Sequence, residues 1–444
     1  RLQRFIPQLE VEIAKSERPL LALSRTLSIV ERVLRRSAYL ALLNEKRGAL
    51  ARLIDLCARS HYIADQIARF PALLDELLDS HFYSEAVTRA DLAKELQQRL
   101  PGEDEDAEAH MQAIGQFQRS TMFRIAVADF NGKLPIMKVS DGLTWLAEVV
   151  LEEALRVAWD DLVERHGVPR CTDGGVEREA GFGIIAYGKL GGLELSYGSD
   201  LDIVFLHNSN GSKQVSDGDK PLDNTMFFSR LVRRLVHFLT TQTGSGQLYD
   251  IDTRLRPDGH KGLLVTSAEA FERYQEDNAW TWEHQALLRA RPVAGSPKVA
   301  EEFERIRRET LVSRVRHDKL RDDVIAMRQR MRKELDRSDT EVFDLKHGRG
   351  GIGDIEFLVQ YLVLDEAKAH PDVIYYSDNI RQLDALIAEG CLERSVGDAL
   401  QDAYRAYRLR QHHLVLDDHR PLVSQDEFVV ERSFVAKTWD DWMA

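Results

Sequence analysis

The stretch Gly181 to His207, GFGIIAYGKLGGLELSYGSDLDIVFLH, decides the fold. An apolar β-type run, Phe182 to Tyr187, ends in Gly188-Lys189. A short glycine-rich helix follows, and a second β-run, Leu201 to Leu206, opens with Asp200-Leu201-Asp202. Alternation along a strand places Asp200 and Asp202 on one face and Leu201, Ile203 and Phe205 on the other. Two carboxylates side by side on a half-buried strand repel each other and lose hydration, so the pair calls for a cation. Mg²⁺ is the expected one, because it is hard and binds through one or two carboxylates together with substrate phosphates.

A third acid is expected from a neighbouring strand read over Leu248 to Leu255. That run offers Asp250 and Asp252, with Arg254 and Arg256 on the same parity. A carboxylate beside two arginines at strand spacing is, alone, a cross-strand ion-pair ladder. Beside the upstream pair it completes a site for a metal and a nucleoside triphosphate, with Asp252 as the third acid and Asp250 as the fallback. The turn Gly188-Lys189-Leu190-Gly191-Gly192 suits phosphate, since glycines let backbone N–H groups approach closely. It lacks the GxxxxGK[ST] spacing of a Walker loop. Lys189, Ser199, Arg254 and Arg256 are the further candidates for holding phosphates.

Around this segment the first hundred residues show helical periodicity, with Leu23, Leu27, Val30 and Leu34 on one stripe. Glu103 to Asp106 reads as an acidic first helical turn. A helix is expected from Ser140, with Leu143, Leu146, Val150 and Ala154 inward, and another carries Phe227, Leu231, Leu235 and Phe238. Asn208 to Pro221 reads as a loop. Helical periodicity returns at residue 311, where Leu320, Val324, Met327, Met331 and Leu335 share a stripe. Arg321, Arg328, Arg330, Arg332 and Lys333 read as the solvated face of that helix. Trp280, Trp282 and His284 lie close together on a helix and read as core. His412, His413 and His419 read as surface. Past the glycines at 350–351, a helix with an unbroken apolar run must be buried, and its turn is a candidate far wall for a nucleotide cleft. The expected fold is thus α+β and mainly helical: a helical N-terminal region (1–115), a small mixed catalytic sheet (116–310) and a C-terminal helical bundle (311–444).

Composition bounds the partners. Sixty basic residues against 73 acidic ones give a net charge of −13, which argues against binding a nucleic-acid duplex. Three cysteines far apart (Cys57, Cys171, Cys391) form no CxxC pair, so a reducing cytoplasm is expected rather than a disulfide framework. No run approaches the roughly 20 apolar residues that span a bilayer, so no membrane role is expected. The chain opens on Arg1 within helical periodicity and reads as a portion of something longer.

Gly188, a spacer, then Asp200-Leu201-Asp202 resembles the signature of the DNA polymerase β-like nucleotidyltransferase superfamily, from which Lys189 departs. Four motifs in order, AYGKLGGLELSYGSDLDIVFL, LYDIDTRLRPDG, AWTWEHQALLRARPVAG and HGRGGIGDIEFLVQYLVL, are similar to one half of the bifunctional glutamine synthetase adenylyltransferase/adenylyl-removing enzymes. The wording Ala-Tyr-Gly-Lys and the Trp280-x-Trp282 run resemble the adenylylating half. The resemblance implies Asp200, Asp202 and Asp252 as metal-binding catalytic acids, two Mg²⁺ ions, and ATP as substrate. It also implies glutamine synthetase as the protein substrate, PII signal protein and glutamine as regulators, and a second half of the same chain as partner. Asp252 either holds metal or takes the proton of the attacking tyrosine. The alternatives are the phosphorolytic, AMP-removing half and a non-catalytic module that senses PII protein or glutamine.

Overall fold

A computed structural model describes residues 2–34, 37–77, 87–102, 107–244 and 246–443. The acidic run Glu103 to Asp106 lies outside the described residues. The chain is 64% helical with small sheets, the mainly helical α+β fold its periodicities call for.

The central sheet follows from two-residue alternation. Strand Phe182–Ala186 pairs antiparallel with Leu201–His207 on one side and with Arg291–Gly295 on the other. Leu201–His207 takes two short parallel partners on its free edge, Ile251–Asp252 at its start and Val265–Ser267 at its end. Phe182, Ile184, Ala186, Leu201, Ile203 and Phe205 join one core with the N-terminal helices and with helices Ile136–His166 and Asn224–Thr240. Ile185, Tyr187, Val204 and Leu206 join a second core with the C-terminal bundle. Asp202 has the parity of Val204 and Leu206, so the fold aims it at the bundle. Phe182 stacks between Phe205 and Phe228 at 6.0 and 5.9 Å, and Phe228 stacks on His207 at 4.6 Å, which seats helix Asn224–Thr240 under the first face.

The bundle is built from helices His317–Leu335, Ile352–Glu366, Asn379–Ala388, Arg394–Leu416 and Val429–Met443. As expected, Ile352–Glu366 is buried along most of its length. Gly351 is committed to its own turn, because a Cβ there would lie 2.6 Å from the Leu345 carbonyl oxygen.

Several readings are corrected by tertiary packing. Helix Pro19–Val33 buries Ala22, Thr26, Ile29, Val30 and Val33, while Leu23 and Leu27 are exposed; the smaller residues take the face against helices Arg47–Arg59 and His61–Arg69. The helix expected from Ser140 begins one turn earlier, at Ile136, after Pro135, whose ring presets the entry. The segment read as a loop contains strand Ser212–Ser216, which pairs with Pro169–Asp173 in a separate three-stranded sheet. The strand read over Leu248 to Leu255 pairs only at Ile251–Asp252. Arg328 is buried rather than solvated: its Nε donates to Asp354 at 2.7 Å and its guanidinium to the His347 carbonyl at 3.0 Å. His412 is also buried, 3.8 Å from Asp129, which lies 283 positions earlier, and burial pulls its pKa down to about 4. Trp280 and Trp282 are exposed, at 65% and 39%, so of that cluster only His284 is core.

Candidate active site

The acids converge where the two parallel strands start. Asp202 and Asp252 are direct partners in the strand register, and Asp200 precedes Asp202 at the exposed lip. Burial, then the neighbouring Asp200 and Asp252 charges, push the Asp202 carboxyl up to about 6. Asp252 is held below the usual carboxylate range by Arg254, whose Nε donates to it at 2.6 Å and whose backbone N–H donates to its other oxygen at 2.8 Å. Asp250 turns away: it accepts from Gln247 at 2.6 Å and lies in a different cavity, so the strand start does not carry it into the trio.

Gly188 sits at φ +54°, and a Cβ there would collide with the Asp202 carboxylate. Only glycine lets the turn close this tightly on the acid. Gly191 and Gly192 serve packing instead, since a Cβ on either would meet Arg289. Ser199 lines the neighbouring cavity, and its hydroxyl and that of Ser196 lie 3.4 and 3.5 Å from Lys189 Nζ. Arg256 is spent on its own loop, donating to the Thr253 carbonyl at 2.8 Å and to Gly262. Parity fails there because the strand ends at Asp252.

Asp200 and Asp202 open on a cleft of about 440 Å³ between sheet and bundle. Gly188, Lys189, Asp200 and Asp202 form one wall; Lys346, Ile352, Glu356, Phe357 and Gln360 form the other; Trp282 and Arg408 complete it. The far wall is therefore the cleft-facing side of helix Ile352–Glu366 together with Lys346, and Gly351 only starts that helix. Burial, with Lys346 and Arg408 nearby, pulls the Lys189 amine down to about 8. Lys346 has no ion-pair partner among the described residues. Sequence reading missed it, although it immediately precedes the fourth motif.

Behind the cleft lies a second acid, Glu194, fully buried. It is paired with Arg289 and accepts from Asn379 at 3.0 Å and from the Tyr404 hydroxyl at 2.8 Å. Arg408 donates to its backbone carbonyl at 2.7 Å. Burial alone would raise this carboxyl, but Arg289 and Arg408 outweigh it and hold it low. The network locks the glycine-rich turn to the bundle.

Three hard oxygen donors, one of them destabilised in its ionised form, fit a divalent cation such as Mg²⁺. An acid trio on neighbouring strands, a glycine turn tight against it and cations across a cleft form a candidate site of the kind a nucleotidyltransferase needs. The chain belongs to the GlnE family, glutamate-ammonia ligase adenylyltransferase, whose model matches residues 50–306. Residues 319–422 also match the model of GlnD PII-uridylyltransferase. The chain is 49% identical over 440 residues to a bifunctional glutamine synthetase adenylyltransferase/adenylyl-removing enzyme from Thioalkalivibrio sulfidiphilus, covering 99% of this chain and 45% of that protein. Proteins of the same description from Nitrosococcus oceani and Pseudomonas aeruginosa are 48% and 46% identical, again over 99% of this chain and 45% and 46% of theirs. The chain thus spans about half the length of the curated relatives it matches. Among the described residues no helix is long and apolar enough to cross a membrane.

Proposed function

We propose that this chain transfers AMP from ATP to a tyrosine hydroxyl of glutamine synthetase, releasing diphosphate, and that it is the adenylylating half of a longer enzyme. The register of Asp202 with Asp252, at the mouth of a cationic cleft, carries the reading. Asp200, Asp202 and Asp252 would hold Mg²⁺, which when bound polarises the α-phosphate and offsets the charge of the departing diphosphate. Lys346 and Lys189 face the phosphates from opposite walls. Trp282, exposed at the rim, offers a flat apolar surface to the base. Arg254 keeps Asp252 ionised, which suits it to hold a cation rather than to take a proton.

The Ala186-Tyr187-Gly188-Lys189 and Trp280-Thr281-Trp282 wording supports the adenylylating half over the AMP-removing one. The descriptions of the relatives support glutamine synthetase as the substrate. The match over residues 319–422 supports a link to PII protein, with glutamine as a second regulator and the other half of the protein as the coupling partner. We place the protein in the cytoplasm and divide it near residues 115 and 310, within the helices Ala107–Phe130 and Pro297–Ser313 that join the parts. The test pairs two incubations: labelled ATP with unmodified glutamine synthetase, and adenylylated glutamine synthetase with inorganic phosphate. Label on the synthetase in the first supports the proposal; ADP release in the second, with no labelling in the first, replaces it with the phosphorolytic half. Neither reaction, with ATP still unbound in the presence of Mg²⁺, leaves a regulatory module.

A further inference from the structure

The helix that walls the cleft ends in an unrelated group of side chains. Glu366 closes helix Ile352–Glu366, and its carbonyl accepts from Ala369 and His370 at 3.0 and 2.8 Å, so one further turn stacks His370 over Glu366. The chain returns after helix Asn379–Ala388 through Gly390, at φ +73°, and this reversal brings Cys391 back to the same spot. One ligand atom from each of Glu366, His370 and Cys391 lies within 4.8 Å of the others. The Glu389 carboxylate fixes the imidazole through Nδ1 at 3.1 Å, the kind of outer contact that orients a ligating histidine. Among the described residues neither Glu366 nor Glu389 has a lysine or arginine within ion-pair distance. Two carboxylates and a thiol therefore crowd one imidazole with no fixed cation to offset them.

We propose that Glu366, His370 and Cys391 form a binding site for a zinc-class divalent ion, separate from the acid trio, that pins the end of the cleft-wall helix to the segment after helix Asn379–Ala388. The donor set decides the metal class. Sulfur, imidazole nitrogen and one carboxylate suit borderline-soft Zn²⁺, whereas Mg²⁺ prefers oxygen alone. Ligands on tetrahedral zinc stand about 3.5 Å apart, given bonds of roughly 2.0–2.3 Å, so small side-chain rotations close the site around the ion. Binding replaces the S–H bond of Cys391 with an S–metal bond and releases one proton to solvent. In the absence of metal, burial and the Glu366 and Glu389 charges keep the thiol protonated, with a pKa near 11.

Cobalt(II) tests this directly, because a thiolate ligand gives it an ultraviolet charge-transfer band that carboxylates do not. Cys57 and Cys171 are fully buried and do not compete. The 444-residue chain, titrated with Co²⁺ in excess Mg²⁺, should develop that band to saturation at one equivalent and lose it on adding Zn²⁺. Cys391→Ser should abolish the band. His370→Gln should weaken metal binding at least about a hundredfold and Glu389→Gln about ten- to a hundredfold, as expected for first and outer ligands. A wild-type chain with no thiolate band overturns the proposal, as does a band that survives Cys391→Ser. Unchanged affinity in His370→Gln also sinks it, since the thiol would then be acting alone. None of these readouts depends on nucleotide transfer, so the site stands or falls apart from the proposed activity.

Discussion

Two acidic centres lie on either side of the glycine turn, and the protein treats them in opposite ways. Glu194 is fully buried, meets two arginines, an asparagine and a tyrosine, and stays ionised. Asp202 is partly open, meets two further carboxylates, and is pushed toward protonation. A buried acid satisfied by fixed cations is part of the framework. An acid whose burial and like-charged neighbours outweigh the nearby Lys189 and Arg254 is suited to a mobile cation. The contrast marks the unsatisfied centre as the candidate for chemistry and the satisfied one as the framework behind it.

The contrast is broken most strongly by exchanging charge for its neutral isostere at each centre. Asp202→Asn should lower AMP transfer at least about a thousandfold, roughly 4 kcal/mol of lost transition-state stabilisation, with thermal stability unchanged or raised. An assay of label transfer beside a melting curve checks both halves of that outcome. Glu194→Gln should do the reverse in kind. It leaves Arg408 buried without its counter-charge and Arg289 with only Glu356, at 3.5 Å, a loss of about 3–5 kcal/mol of folding stability, measurable by urea denaturation.

The acids' pH behaviour sharpens the comparison further. Asp202 has a folded pKa of about 6 against an ordinary 3.8. The folded state therefore holds this proton more tightly, and the corresponding stability, complete below about 4, is lost as pH rises to about 6. Denaturation in the absence of divalent cations should show this fall in the wild type and its removal in Asp202→Asn. Glu194 should contribute nothing of that sign. The smallest effect belongs to the far wall: Lys346→Met should weaken ATP affinity about tenfold, roughly 1.4 kcal/mol, without changing stability, as read by calorimetry.

The sequence carried the sheet and the acid pair because both rest on neighbours. Two-residue alternation puts Asp202 opposite Ile203 whatever the rest of the chain does, and the structure keeps that parity. Long-range pairings left no such mark. Glu194 and Arg408 are 214 positions apart, and the buried Arg328–Asp354 pair joins two helices that each look amphipathic or apolar alone. A basic residue in a helix therefore reads as solvated until its partner is known, and His412 reads as surface for the same reason. Arg256 is the opposite case: its parity with Asp252 requires a strand that continues past Asp252, where the strand ends. Trp280, exposed, and Trp282, lining the cleft, show that aromatic spacing alone does not identify a core.

The central claim, that the trio of acids and the opposing cations form one metal–nucleotide site, is tested most directly by calorimetric titration of ATP into the chain with and without Mg²⁺, for wild type and Asp202→Asn. We predict saturable binding that requires Mg²⁺ and is lost in the variant while its fold persists. Equal binding with Mg²⁺ withheld, or full Mg²⁺-dependent affinity in Asp202→Asn, would contradict the account.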